Sequence, residues 1–325
     1  MRNRTLPPHD PIAAFLAARP LLILDGALAT ELERRGADLR DPLWSAKLII
    51  DRPESIHAVH LDYYSAGADV ATSATYQATF EGFARRGISR EGATRLISNA
   101  ISIAIAARDE FWSIESNRLG RVRPLVAASV GPYGAMLADG SEYRGHYALS
   151  DAALQDFHRQ RIQVLAESGA DLLACETIPS LREALAITAV LEDFPSTAAW
   201  VSFSCRDGMT TCEGQPIDEC AAELAGHAQI VAIGVNCTAP SYVRSLLQRM
   251  RSRTDKPLLA YPNSGEVYDA ANKSWHGMPA ALPFAEQARR WYDAGARLIG
   301  GCCRTTPADI RAIRAWALQM KTPAS

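Results

Sequence analysis

The residues most able to do chemistry are three of the chain's seven cysteines. Cys302 and Cys303 are adjacent, directly behind Gly300 and Gly301, and Cys237 closes the segment IVAIGVNC. Adjacent cysteines admit three readings: neighbours in a core, a vicinal disulfide, or two ligands of one soft metal. Three thiolates favour a soft or borderline ion, and one tetrahedral zinc ion per chain with an open fourth position is the economical choice. The other four are read differently. Cys175 precedes Glu176 and faces the opposite side of its strand, while Cys205, Cys212 and Cys220 have no partner at metal spacing and read as packing or loop residues.

Zinc held by three thiolates is electron-rich, a weak activator of water but well suited to a fourth thiolate. A free thiol titrates near ~8.5 and is mostly protonated at neutral pH, whereas coordination deprotonates it. The chemistry implied is an exogenous thiol attacking an alkyl donor, with no nucleophile from the protein itself. Asp25 and Glu176 suit a cationic amino group on that thiol, with a paired acid/base role as the competing reading. Backbone N–H groups at Gly26, Ala27 and Leu28, opening a helix toward Glu31, suit a carboxylate. Soft metal, acidic groups and helix N-terminus together describe an α-amino acid bearing a thiol.

These residues need a scaffold that gathers them. Eight apolar runs recur at 21–26, 68–75, 124–132, 170–177, 198–205, 230–237, 257–264 and 296–303, each followed by turn residues and a helical pattern. Near-continuous hydrophobicity marks parallel strands buried on both faces. Helix boundaries are legible between them: Ser150 before 151–169, Pro179-Ser180 before 181–194, and Thr306-Pro307 before 308–320. Eight repeats predict an α/β fold, a (β/α)₈ TIM barrel over 21–320, preceded by an extension over 1–20. Within that extension a short helix, capped by Asp10 with Pro11 at its first position, is placed to plug the barrel bottom. A doubly wound open sheet would want G-x-G-x-x-G after its first strand, and LDGALATE lacks it.

Active sites of such barrels lie at the carboxyl ends of the strands. Those ends carry Asp25, Thr75, Ser129, Glu176, Ser204, Asn236, Asn263 and the three candidate metal cysteines. Cys302 and Cys303 can reach one ion only if the backbone leaves strand geometry, a freedom assigned here to Gly300 and Gly301. His57 and His60 precede strand two at the wrong end of the barrel and read as packing or surface; His146 and His276 fall on the rim side.

With 325 residues, 48% of them hydrophobic, and a net charge of −2, the chain has a full core and no basic block. Nucleic acid and membrane surfaces are therefore not expected partners; small-molecule substrates are. The N-terminus makes a poor signal peptide, no apolar run is long enough to span a bilayer, and an odd cysteine count fits a reducing compartment. A cytoplasmic location is expected. No heptad or exposed apolar stripe announces an oligomeric interface.

The segments LDGALATELERRG, SATYQATFEGF, SVGPYGAMLADGSEYRGHY, CETIP, GVNCT and GGCCRTTP together resemble the homocysteine S-methyltransferases, most closely the S-methylmethionine-dependent branch. The resemblance runs over roughly residues 20 to 318. It implies zinc on Cys237, Cys302 and Cys303, and homocysteine held at Asp25-Gly26 and Glu176, with the strand-two threonine region falling at Thr75 or, two residues away, Ser73. The implied reaction carries a methyl group from a sulfonium to homocysteine, giving methionine, by in-line displacement. Aromatic faces at Tyr133, Tyr143 and Tyr261 are candidates for meeting the sulfonium. S-adenosylmethionine or betaine as donor, and selenocysteine as acceptor, are alternatives within the family. A vicinal-thiol redox or zinc-buffering protein is the alternative outside it, one that leaves Asp25 and Glu176 idle. A zinc hydrolase would want histidine or carboxylate ligands instead.

Overall fold

The computed structural model describes residues 9–39, 44–269, 274–276, 278 and 280–320. Residues 1–8 of the expected extension lie outside them.

Eight parallel strands form one sheet: β1 (Leu22–Ile23), β2 (Val70–Thr72), β3 (Leu125–Val130), β4 (Leu172–Ile178), β5 (Ala199–Phe203), β6 (Ile230–Asn236), β7 (Leu258–Tyr261) and β8 (Ala296–Ile299). Their spatial order is β1-β8-β7-β6-β5-β4-β3-β2. A parallel bridge between Leu24 and Val70 closes the ring, helped by the Asp69 N–H on the Ile23 carbonyl at 2.6 Å. The (β/α)₈ TIM barrel expected from the repeats is the fold. Strands β1 and β2 are much shorter than the apolar runs that announced them. Between β7 and β8 a small antiparallel pair, Val267–Asp269 with Ser274–His276, was not anticipated.

Alternation along the strands separates two apolar layers. Leu22, Leu24, Val70, Ala127, Leu172, Ala174, Trp200, Ala232, Leu259 and Leu298 fill the barrel interior. Ile12 and Phe15 of the N-terminal helix Pro11–Ala18 join that interior cluster, and Asp10 Oδ1 caps the helix at the N–H groups of Ile12 and Ala13, both 2.9 Å. The helix plugs the barrel as its sequence suggested. The outer layer packs Leu173, Cys175, Val201, Ile233 and Val235 against the helices, so Cys175 does face away from the interior.

The helices begin where their caps foretold. Ser150 caps Asp151–Ala166, Ser180 caps Leu181–Leu191, and Thr306 forms a capping box with Asp309 at the head of Pro307–Ala317. Gly67, Gly169 and Gly295 each adopt positive φ between a helix and the next strand, which explains the repeated G-A-D and G-A-R signals.

Candidate metal and substrate site

Strand β7 organises the cysteines. It lies between β6 and β8, and its last carbonyls hold both neighbours: the Cys237 N–H reaches Tyr261 O at 3.2 Å and the Cys302 N–H reaches Pro262 O at 2.7 Å. Cys303 is fixed through its own carbonyl, which accepts from the Ser264 N–H at 3.1 Å. Thr305 Oγ1 donates to Cys302 O at 2.6 Å and closes the turn. The three sulfurs lie within 4.8 Å of one another, with Cys237 to Cys303 and Cys302 to Cys303 both 3.9 Å.

Those separations fit a tetrahedral ion. Zn–S bonds of ~2.3 Å at tetrahedral angles put sulfurs ~3.8 Å apart. Proton sharing with the Cys302 and Cys303 thiols holds the Cys237 thiol well below its ordinary range. One sulfur of the three is therefore already disposed to be a thiolate, the form a metal requires.

The two glycines before the pair have a different use from the one expected. Neither Gly300 nor Gly301 has positive φ. A Cβ on Gly300 would lie 2.6 Å from Asp25 O and Leu24 Cβ, and one on Gly301 would lie 2.5 Å from Thr305 Cγ2. Gly300 permits close approach of β8 to β1 and Gly301 the tight turn onto Thr305, rather than backbone freedom. The residues that do leave ordinary backbone geometry here are Cys237 at φ 46° and Arg304 at φ 68°.

Asp25 sits beyond β1, 2% exposed. It accepts hydrogen bonds from Tyr261 Oη at 2.6 Å, the Thr72 N–H at 2.7 Å and Thr72 Oγ1 at 3.2 Å. Burial outweighs these three bonds and pushes its pKa up to about 7. Glu176 is 7% exposed and accepts from Ser129 Oγ. Burial raises it to about 8, with the Cys237 thiolate and Asp25 adding to the effect. No arginine, lysine or histidine hydrogen-bonds or ion-pairs with either acid among the described residues. Two buried carboxylates without a cation form a site that gains by receiving one.

The strand geometry that presents Glu176 is irregular. Between β4 and β5 the register slips from Cys175↔Val201 to Ile178↔Phe203, a bulge that includes Thr177 at φ 60°. Bulges of this kind re-aim side chains at sheet ends.

A family profile described as Homocysteine S-methyltransferase matches residues 22–317. Homocysteine S-methyltransferase YbgG of Bacillus subtilis is 55% identical over 313 residues, 96% of this chain and 99% of that one. The chain belongs to the homocysteine S-methyltransferase family. A selenocysteine Se-methyltransferase of Brassica oleracea is 48% identical over 301 residues, 90% of this chain and 87% of its own length. The metallated form of the homocysteine methyltransferase MmuM from Escherichia coli superposes with a TM-score of 0.85 at 47% identity, covering 94% of this chain and 99% of that one. The protein is accordingly a methyl-transferring enzyme.

Within this homocysteine S-methyltransferase, the other sequence candidates separate. Thr75 lies beyond the end of β2; its Oγ1 donates to Ser129 O at 2.7 Å and pairs with Ser73 Oγ at 2.7 Å, so Thr72 rather than Thr75 is the threonine on Asp25. Gly26 is needed for clearance, since a Cβ there would lie 2.6 Å from the Tyr63 ring. Tyr261 is engaged with Asp25, and Tyr133 packs edge-on against Tyr147 and Phe157 at centroid distances of 5.2 and 5.0 Å. Of the three tyrosines, Tyr143 is the one whose hydroxyl is raised by the charges of all three cluster cysteines, after the larger effect of burial. His60 is fully buried and His57 pairs with Glu110 at 3.3 Å, in keeping with packing and surface roles. Exposed His146 has its N–H on Glu213 Oε1 at 2.6 Å.

Sequence reasoning missed four residues: Thr72, Glu142, Thr177 and Tyr76, whose hydroxyl is raised by burial and by the charges of Glu142, Cys237 and Glu176 around it. Glu142 belongs to the turn Ser141–Tyr143, which is folded back so closely that a Cβ on Gly134 would lie 2.4 Å from Glu142 N. Ser204 Oγ, at the tip of β5, donates to Glu142 O at 3.2 Å. Burial, with the Cys237 thiolate beside it, pushes the Glu142 carboxyl up to about 7. Its position in the quoted segment LADGSEYRGHY was visible, but nothing in the spacing aimed it at the cysteines.

Proposed function

We propose that the protein transfers a methyl group from a sulfonium donor, S-methylmethionine in the first instance, to the thiol of L-homocysteine, with one zinc ion per chain held by Cys237, Cys302 and Cys303. The observation that carries this reading is the pairing of a three-sulfur cluster at tetrahedral spacing with two buried carboxylates that lack a protein cation. When bound, zinc would supply a Lewis acid that takes the substrate sulfur as thiolate at neutral pH.

Asp25 and Glu176 are assigned the substrate ammonium group. Tyr261 and Thr72 orient Asp25, and Ser129 orients Glu176. Thr75 is given a supporting part, through Ser73 and Ser129. Gly26 leaves room beside the first turn of Leu28–Arg34, whose N-cap Ala27 offers no side-chain cap, and the free N–H groups there suit the substrate carboxylate. With zinc bound the acceptor sulfur would react as its thiolate, its proton released to solvent. The sulfur lone pair then forms a new S–CH₃ bond while the donor C–S bond breaks, its electron pair leaving on the donor sulfur as a neutral thioether. With S-methylmethionine the products are two methionines. No general base is required, so the protein's contribution is alignment of the two sulfurs and exclusion of water. Tyr143 and Glu142 are placed on the donor side as aromatic face and carboxylate for the sulfonium.

The test is zinc content of the purified protein together with methionine formation from homocysteine and S-methylmethionine. About one zinc per chain and turnover with S-methylmethionine is the expected result. Turnover only with betaine or S-adenosylmethionine would reassign the donor. An active metal-free protein would overturn the zinc assignment.

A further inference from the structure

Three buried side chains in the helical layer have no part in the chemistry above. His158 and Arg161 lie on the helix Asp151–Ala166, and Glu183 lies in the first turn of Leu181–Leu191. His158 and Glu183 are fully buried and Arg161 is 1% exposed. Polar groups so deep are costly unless bonded, so their partners say what they hold.

Arg161 Nη2 donates to Gly131 O at 2.6 Å and to His158 Nδ1 at 3.1 Å, and Nη1 donates to Tyr76 O at 3.3 Å. A guanidinium can only donate, so His158 Nδ1 is the acceptor and the ring proton sits on Nε2. Burial favours this neutral ring by lowering its pKa. Nε2 then donates to Glu183 Oε1 at 2.9 Å, and the same oxygen takes the Tyr133 N–H at 2.6 Å.

The two ends of this trio hold different stretches of backbone. Arg161 ties the segment leaving β2 to the segment leaving β3, two residues beyond the Ser129 that orients Glu176. Glu183 takes hold further out, at the first residue of the short helix Tyr133–Leu137. Gly134 follows, and the turn Ser141–Tyr143 is folded onto it: a Cβ there would meet Glu142 N at 2.4 Å and Ser141 C at 2.6 Å. Tyr147 Oη crowds the same point at 2.6 Å, its ring edge-on to Tyr133. The Glu183 bond therefore fixes the floor on which Glu142 stands.

We infer that Glu183 is a positioning residue for the methyl donor: its carboxylate, bonded to His158 and through it to Arg161, fixes the Tyr133–Gly134 backbone that supports Glu142 and Tyr143. This rests on the donor-side assignment of those two residues in the preceding section. Arg161 keeps its own grip on Gly131 and Tyr76, which shields the Ser129–Glu176 pair from a change at Glu183.

Glu183→Asp and Glu183→Gln test it. Aspartate is one methylene shorter and cannot reach the Tyr133 N–H and His158 together. Glutamine keeps the length and an acceptor oxygen for both donors, but puts an NH₂ group where Oε2 is enclosed without a hydrogen-bond partner among the described residues. In Glu183→Asp, kcat/KM for S-methylmethionine should fall roughly tenfold to hundredfold, the loss a misplacement of ~1 Å brings. Homocysteine KM and zinc content should stay at wild-type values. Glu183→Gln should melt lower than wild type yet recover most of the donor kinetics, which a merely structural role would not allow. Wild-type donor kinetics in Glu183→Asp would overturn the inference. So would donor kinetics that track the Tm across both variants, or a homocysteine KM that rises as much as the donor KM. Should the wild type use betaine or S-adenosylmethionine instead, the reading of the donor falls, and the same split measured with that donor decides the role of Glu183. A wild type that makes no methionine with any of them would overturn both.

Discussion

The two ends of this barrel carry carboxylates under opposite rules. At the amino end, Asp69 and Asp171 stand at the entrances to β2 and β4, each the last letter of a G-A-D signal. Asp69 Oδ2 accepts the Ile23 N–H at 3.1 Å, and its Oδ1 faces Arg121 and Arg314 at 3.5 and 3.4 Å. Asp171 Oδ2 accepts the Val126 N–H at 2.7 Å and Arg108 at 3.0 Å. Each of these acids pins a neighbouring strand and is matched by arginine. At the carboxyl end, Asp25 and Glu176 take neutral donors only. A buried acid with a cation is a finished structural element; one without is held in readiness for a ligand. On the proposed reading, the same fold spends its carboxylates on register at one end and on recognition at the other.

The largest effect that would sharpen this contrast is loss of the metal cluster. Cys303→Ala leaves two sulfurs, too few for a closed tetrahedral set with one exchangeable position. Zinc stoichiometry by elemental analysis should fall to near zero, and methionine formation should fall by more than the ~10–100-fold that outer partners cost. A zinc-replete, active Cys303→Ala protein would break the assignment.

Next comes Asp25→Asn, which separates recognition from stability by sign. Asp25 is raised from 3.8 to about 7 in the folded chain. Between those values the folded state holds a proton that the unfolded state has released. Stability therefore falls as pH rises through this window. The asparagine cannot ionise, so Asp25→Asn should melt higher than wild type at pH 8 and show no such gain below pH 4. The homocysteine KM should meanwhile rise by the ~2–5 kcal/mol typical of a buried charge pair losing one partner, roughly thirtyfold or more. Wild-type KM should itself tighten as pH rises through about 7. A destabilised Asp25→Asn at pH 8 would place Asp25 with the structural acids.

Asp171→Ala is the converse experiment at the other end. It leaves Arg108, which is 7% exposed, with Asp109 as its remaining acid and frees the Val126 N–H. A cost of ~1–3 kcal/mol is expected in denaturant unfolding, with both KM values unchanged. A change in KM without a change in stability would contradict the division of labour.

How much of this was legible in advance follows from the same division. Buried parallel strands must be apolar throughout, so the eight runs and their G-A-D entrances announced the barrel directly. Cysteines and acids at strand ends announced the cluster. What escaped detection was departure from regular geometry. The run 68–75 reads as one strand, but the strand ends at Thr72, which moves the Asp25 contact three residues from Thr75. Thr177 and Cys237 adopt left-handed backbone without glycine, and no residue type marks that. Gly300 and Gly301 were visible, but the use of Gly300 for close strand approach depends on β1, almost the whole chain away, and that of Gly301 on Thr305 folding back over it.

The smallest effect concerns Glu142, which tests whether the acid rule of the carboxyl end extends to the loops. This residue is not on a strand, and it is only partly buried. One carboxylate oxygen, Oε2, is nevertheless enclosed and makes no hydrogen bond to another described residue. Its neighbour Tyr143 lies close enough to the cluster to feel the charge of Cys237, after the larger effect of burial. A cationic donor approaching the substrate sulfur would pass this pair, and the attraction would be that of a partly screened charge, about 1 kcal/mol. Glu142→Gln keeps the shape and removes the charge. The donor KM should rise about fivefold, with homocysteine KM and zinc content at wild-type values. Equal shifts in both KM values would instead mark Glu142 as a support of the turn, and the donor cation would then have to be met by Tyr143 and Tyr76 through their ring faces alone.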